Sequence, residues 1–165
     1  MEFIFDSKKD ELQKAANLLF LDQNGIKHIV KNVIFDLEQF DITDFMFFIS
    51  SAYFIRFGDQ PGFKEYSPAL NFDPDKMKHT DVHREILKYY RNMLPPENKT
   101  KLHPFSIKKG NNIHGLIFGS KHPVGVEKFL NIAWSENQIN GEANFDIDDE
   151  TDSNAFSPLS AAMTR

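Results

Sequence analysis

Two groups of residues stand where a parallel sheet would hold a ligand. Asp22-Gln23-Asn24-Gly25 closes a short apolar run, Leu18-Leu19-Phe20-Leu21, and Ser50-Ser51 closes a second, Phe45-Met46-Phe47-Phe48-Ile49. In open α/β sheets, ligands bind outside the carboxyl ends of the strands. If both runs are such strands, Asp22, Gln23 and Asn24 come beside Ser50 and Ser51, with Arg56 a little further on. A carboxylate in that crevice can orient an amine or hydroxyl, and an arginine can contact phosphate. The same residues also read as a turn aspartate, a helix cap at Ser51 and a surface arginine.

Three other groups invite chemistry. His79 and His83 have the i, i+4 spacing that holds zinc on one helical face, but the glutamate of the His-Glu-x-x-His motif is missing, and Thr80 reads as a helix cap that leaves His79 outside the helix. No metal site is expected. Lys101, Lys108, Lys109 and Lys121, with His103 and His122, are interleaved with Phe105 and Phe118. Basic and aromatic residues together bind nucleic acid by neutralising phosphate and stacking on bases; alternating aromatics in a hairpin also read as core. Asp146, Asp148, Asp149 and Glu150 resemble part of a calcium loop but lack the glycine and the twelfth-position glutamate of an EF-hand.

The elements that must position these residues follow from periodicity. Ile26, Ile29, Val30, Val33, Ile34 and Leu37 recur at helical spacing between the two apolar runs. Strands joined by a helix are parallel, and strands buried on both faces lose their alternation. The spacing therefore predicts a βαβ unit over residues 17–50. Ser7 and Asp10 predict a helix cap upstream of Leu12. Residues 58–79 are rich in Gly, Pro and Asp and read as an irregular excursion. Thr80 then caps a helix carrying Val82, Ile86, Leu87, Tyr90 and Met93, stopped by Pro95-Pro96. Leu102–Lys108 and Ile113–Ser120 flank a Gly/Asn-rich link and predict a hairpin. Val126, Phe129, Leu130, Ala133 and Trp134 predict a last helix.

At 165 residues the chain fits one domain. We assign 1–144 to an α/β domain and 145–165 to an acidic, then Ser/Ala-rich tail expected to be disordered. The 17 phenylalanines predict a core of packed aromatics. Cysteine is absent, which excludes disulfides and thiolate metal sites and fits a reducing cytoplasm. No stretch approaches the ~18 apolar residues of a membrane span. The net charge of −5 does not suit a chain that coats nucleic acid, yet it hides opposed blocks. Between Glu97 and Lys128 there are six lysines (99, 101, 108, 109, 121 and 128) and only two acids, Glu97 and Glu127, whereas the stretch from Gly141 to Asp152 has six acids and no basic residue. Such blocks mark either partner surfaces or an ordinary solvated face and tail.

A parallel βαβ unit followed by an antiparallel hairpin is the layout of the second half of a class I methyltransferase fold, a partial Rossmann-like sheet with flanking helices. Asn17-Leu-Leu-Phe-Leu-Asp22-Gln-Asn-Gly25, Asp44-Phe-Met-Phe-Phe-Ile-Ser-Ser51 with Arg56-Phe57, Pro104-Phe-Ser-Ile-Lys-Lys-Gly110, Gly115-Leu-Ile-Phe-Gly-Ser120 and Asn144-Phe-Asp-Ile-Asp-Asp149 resemble the three-Cys-motif partner proteins. That resemblance covers about residues 15 to 150. It implies a methyltransferase-like fold, S-adenosylmethionine as the cofactor of full-length relatives, and a three-Cys-motif protein as partner. Two departures qualify it. The glycine-rich turn that would cradle the cofactor has no counterpart in this chain, so no cofactor is expected for the chain alone. Where many relatives have Asp-Pro-aromatic-Gly, this chain has Asp22-Gln23-Asn24-Gly25. The resemblance also implies that Leu18–Leu21 lies at an open sheet edge, where self-association or a complementing partner is expected unless Phe3-Ile4-Phe5 folds back over it.

Overall fold

In the computed structural model, which describes residues 2–21, 31–58, 60–61 and 77–150, the two apolar runs form β1 (Asn17–Leu21) and β2 (Thr43–Ser50). They pair in parallel, from Asn17 opposite Thr43 to Leu21 opposite Phe47. Helix α1 (Glu2–Lys14) precedes them and α2 (Lys31–Glu38) lies between them in sequence, so the βαβ unit forms as its periodicity predicts. The Ile26, Ile29 and Val30 positions of that periodicity fall outside the described residues, as does most of the 58–79 excursion. Asn17 fastens the start of the unit: its side-chain amide donates to the Leu12 and Ala15 carbonyls and to Thr43 Oγ1. Ser7 and Asp10 lie inside α1 rather than at its cap, because the helix already begins at Glu2. Phe3, Ile4 and Phe5 belong to that helix and not to a strand along the β1 edge.

Helix α3 (Ser51–Phe57) leaves β2 without a loop, and α4 (Val82–Met93) ends before Pro95-Pro96. Asp81, not Thr80, occupies the N-cap position of α4. The hairpin consists of β3 (Lys101–Lys109) and β4 (Asn112–Ser120), and α5 (Pro123–Glu136) follows it. Lys109 pairs with Asn112 across a two-residue turn in which Gly110 has φ 61°, a left-handed conformation that glycine adopts without a Cβ clash. Pro123 starts α5 and needs no N–H there, while His122 Nδ1 accepts from the Val124 N–H at 3.2 Å.

The sheet order is β1-β2-β4-β3. The second hairpin strand, β4, pairs antiparallel with β2, from Phe45 opposite Gly119 to Ser50 opposite His114. The result is a mixed α/β sheet with one parallel pair and flanking helices. One face carries the core: Phe45, Phe47 and Ile49 of β2 and Ile117 of β4 pack against Val33 and Leu37 of α2, Phe54 of α3, and Val82, Ile86 and Tyr90 of α4. The abundance of phenylalanine is used there, with Phe47 meeting Tyr90 edge to face at 5.0 Å between centroids. The opposite face carries α5, whose Phe129 stacks on Phe118 of β4 at 4.6 Å. No helix of the described residues is long and apolar enough to cross a membrane.

The two apolar runs differ from the sequence expectation in one respect. Their unbroken hydrophobicity predicts burial on both faces, yet β2 alternates between buried and half-buried residues. In β1, Leu18 and Phe20 are 63% and 60% exposed. The reason is coverage: α5 packs on the hairpin strands and, among the described residues, only borders a groove beside Leu18 on this face of β1.

The pairing of Phe45 with Gly119 yields a stability prediction. A Cβ on Gly119 would lie 2.2 Å from Cζ of the buried Phe45 ring. Gly119→Ala is expected to lower stability by about 1–3 kcal/mol through overpacking, read as a lower urea midpoint with an unchanged slope.

Candidate functional site

At the carboxyl end of the parallel pair, Ser50 is the last residue of β2 and the N-cap of α3, with extended φ and ψ and no side-chain capping bond. The cap is therefore Ser50 and not Ser51. Ser51 is the first helical residue; it is fully buried and its Oγ has no hydrogen-bond partner. On the other face of the sheet, His114 pairs with Ser50 across the ladder and stacks on Phe48 at 5.0 Å, with its buried Nδ1 unpartnered. Arg56 sits in the last turn of α3, roughly 9 Å along the helix from Ser50. Its guanidinium lies 5.2 Å from the centroid of the Phe57 ring. Asp22, Gln23 and Asn24 lie outside the described residues. Of the residues predicted for this crevice, the structure thus describes Ser50 at the strand end and Arg56 a helix length away.

The lysines predicted to meet nucleic acid fall at the two ends of β3, roughly 25 Å apart at ~3.3 Å per residue. Lys101 starts the strand, exposed and opposite Ser120. With Lys99 and Lys121 it borders an open groove of about 480 Å³ whose floor includes Pro123, Val126 and Leu130. The Lys121 ammonium is already engaged there, donating to the Glu38 carbonyl and lying 3.3 Å from Asp41. Lys108 and Lys109 end the strand at the hairpin turn, and the Lys108 ammonium lies 5.4 Å from the centroid of the Phe145 ring. Of the interleaved aromatics, Phe118 and Phe105 are buried and present no stacking surface. Beside them, burial holds the His103 imidazole below its usual pKa, aided by the charge of Arg91.

The strongest electrostatic constellation joins α4 to the chain after α5, and no motif announces it. Arg84 Nε and Nη2 donate to the two carboxylate oxygens of Glu142 at 2.8 and 3.0 Å. Its Nη1 and Nη2 also donate to Asp148 at 2.8 and 2.7 Å. His83, fully buried, lies 2.9 Å from Glu142 Oε1 through Nε2. Burial alone would raise the Glu142 carboxyl, but the hydrogen bonds from His83 and Arg84 outweigh it and hold the group at about 2. Bonds to Asp148 and Glu142 push the Arg84 guanidinium further above its usual value. Histidine 83, considered above as one of a zinc pair, is thus turned to a carboxylate, while His79 is exposed in the turn before α4.

This network clamps residues 141–148 along the outer edge of β3. The Ser106 N–H donates to the Glu142 carbonyl at 2.7 Å, and the Asn144 N–H donates to the Ser106 carbonyl at 3.0 Å. Asn144 Oδ1 accepts from the Lys108 N–H at 2.8 Å. Ala143 and Ile147 are buried. The packing continues past residue 144: Ile147 is buried and Asp148 pairs with Arg84. Sequence alone carries little signal for this, since Arg84 lies 58 and 64 positions from its carboxylates.

No protein-family model, curated protein or solved structure matches the chain.

The depressed Glu142 pKa has a definite consequence. A carboxylate whose folded pKa lies below its ordinary value of 4.5 contributes stability above that pH and loses it as pH falls toward 2. Glu142→Gln is expected to cost about 2 kcal/mol at neutral pH. The gap from the unaltered protein should close as pH falls from 4.5 toward 2, measured by urea denaturation across that range.

Proposed function

We propose that this chain is the hairpin-bearing half of a class I methyltransferase-type sheet, akin to the three-Cys-motif partner proteins, and that by itself it is a binding module without catalytic activity. The observation that carries the reading is the strand order β1-β2-β4-β3. The second hairpin strand inserts antiparallel beside the parallel pair, and helices stand on both faces. That is the arrangement expected of the second half of such a sheet and not of a simple meander, in which consecutive strands are neighbours.

The chemistry of the chain supports the non-catalytic part. Dinucleotide and related cofactor sites in α/β sheets use a G-x-G-x-x-G turn after a strand, so that backbone can approach the ligand at a helix N-terminus. None of the eight glycines in this sequence forms a G-x-G pair. β1 is followed in sequence by Asp22-Gln23-Asn24-Gly25, and β2 runs directly into α3. S-adenosylmethionine is accordingly not assigned to these residues. A three-Cys-motif protein is the partner the resemblance implies, and a cysteine-free chain fits the cytoplasm.

Calorimetric titration of the purified chain with S-adenosylmethionine tests this directly. No saturable heat is expected in the micromolar range. A low-micromolar dissociation constant would show that the residues present build a cofactor site, and the non-catalytic reading would fall.

A further inference from the structure

The two outer edges of the sheet are treated differently. The β3 edge is covered by the 141–148 segment, bridged at Ser106 and Ala143. At the β1 edge no strand of the described residues pairs beyond β1. The Asn17 N–H points inward to the Ile42 carbonyl at 3.1 Å. Backbone groups alternate along a strand, so the N–H and C=O of Leu18 and Phe20 face the open side. Natural edges are protected by lysine, proline or a bulge; Asn17-Leu-Leu-Phe-Leu21 has none of these.

An apolar patch continues from this edge. Leu18 and Phe20 are joined by Ile42 and Val124, 48% and 46% exposed. Leu18, Ile42 and Val124 line an open groove of about 500 Å³ between β1, the start of β2 and the start of α5. The lining of the groove carries both signs, Asp41 and Asp44 together with Lys128 and His122. A strand edge whose outward N–H and C=O groups sit at Leu18 and Phe20 is complementary to the same edge of a second copy, which is what a two-fold interface requires.

We propose that β1 is a homodimer interface: two copies of the chain pair through β1 in antiparallel, around a two-fold axis at Leu19, to make one continuous eight-stranded sheet. In this register Leu18 of one copy stands opposite Phe20 of the other. Their outward backbone groups exchange both hydrogen bonds, and their exposed side chains cover each other as an aromatic–aliphatic cross-strand pair. Leu19 falls on the axis at a non-hydrogen-bonded site, which agrees with its own backbone groups being turned to β2. Because the β3 edge is covered, pairing stops at two copies and does not propagate into a fibre. None of this depends on the methyltransferase reading.

Sedimentation and light scattering of the unaltered chain should give twice the monomer mass of 19.1 kDa at micromolar concentration. Phe20→Lys replaces an exposed residue, so the circular dichroism and urea midpoint of the monomer should be retained. The dimer dissociation constant should rise by at least about tenfold, equivalent to ~1.4 kcal/mol. A monomer at high concentration, or a dimer indifferent to Phe20→Lys, would overturn the proposal. The register has a separate test in a chain free of cysteine. Mixing Leu18→Cys with Phe20→Cys under oxidation should give the mixed disulfide in excess over either like pair, because only directly opposite residues fall in the ~4.4–6.8 Å Cα range of a disulfide. Like pairs in equal or greater yield would rule out the axis at Leu19.

Discussion

The ladder between β2 and β4 joins two pieces of chain that could each form locally, a βαβ unit and a hairpin, and most of the remaining structure is aligned by it. Its six pairs set Phe45 on Gly119, Phe47 beside Ile117 and Ile49 beside Gly115. The two glycines are what allow the close approach. Gly119 accommodates the Phe45 ring, and Gly115 leaves room for α4, where a Cβ would stand 2.6 Å from that of His83. Once α4 is seated against Gly115, His83 and Arg84 are in place to hold Glu142 and Asp148. The covered edge of β3 thus depends on the pairing of β4 with β2, through a chain of contacts that begins with an absent side chain.

Coverage of the sheet is lopsided in two senses. Among the described residues, one face is packed by α2, α3 and α4, with Leu12 of α1 added at its border, whereas the other has α5, packed mainly over the hairpin. One edge is sealed by backbone bonds and by a guanidinium that bridges two carboxylates, whereas the other ends in Leu18 and Phe20. Hydrophobic burial is worth about 25 cal/mol per Å², so an apolar strand with no pairing strand on one edge among the described residues, and with Leu18 and Phe20 exposed on one face, retains a driving force for association. The place where the fold is least complete is therefore the place where it has most to gain from a second surface.

Polar groups at the carboxyl end of β2 present a different economy. Ser51 Oγ, His83 Nδ1 and His114 Nδ1 are buried without partners, and unsatisfied buried polar atoms are uncommon because each forfeits its hydration. They do not converge: His83 packs beside Gly115 on the core face, and His114 stacks on Phe48 on the opposite face. The lysines show a similar dispersal, since a β-strand that carries Lys101 and Lys108 also separates them by most of its length. Residues close in composition are thus kept apart by the geometry of the elements that hold them.

Local pattern was enough for most of the elements, though not for the start of α1 at Glu2 or for α3. The 3.6-residue recurrence of Val33 and Leu37, the continuous run Phe45–Ile49, the Gly110-Asn111 turn and Pro123 at the head of α5 each act through neighbours in the chain, so strands, helices and the hairpin could be read without any long-range information. The absence of cysteine likewise excludes disulfides and thiolate ligands. What could not be read was anything that depends on partners distant in sequence. An apolar run does not reveal how many of its faces will be covered, and Leu18 and Phe20 look no different in sequence from Leu19 and Leu21. The acidic stretch after Asn140 carries the composition of a tail, and only the arrival of Arg84 across the sheet turns Glu142 and Asp148 into ion-pair partners and draws Ile147 inside. Periodicity is a property of one segment, whereas burial and charge pairing are properties of two, and the second segment is supplied only by the tertiary fold.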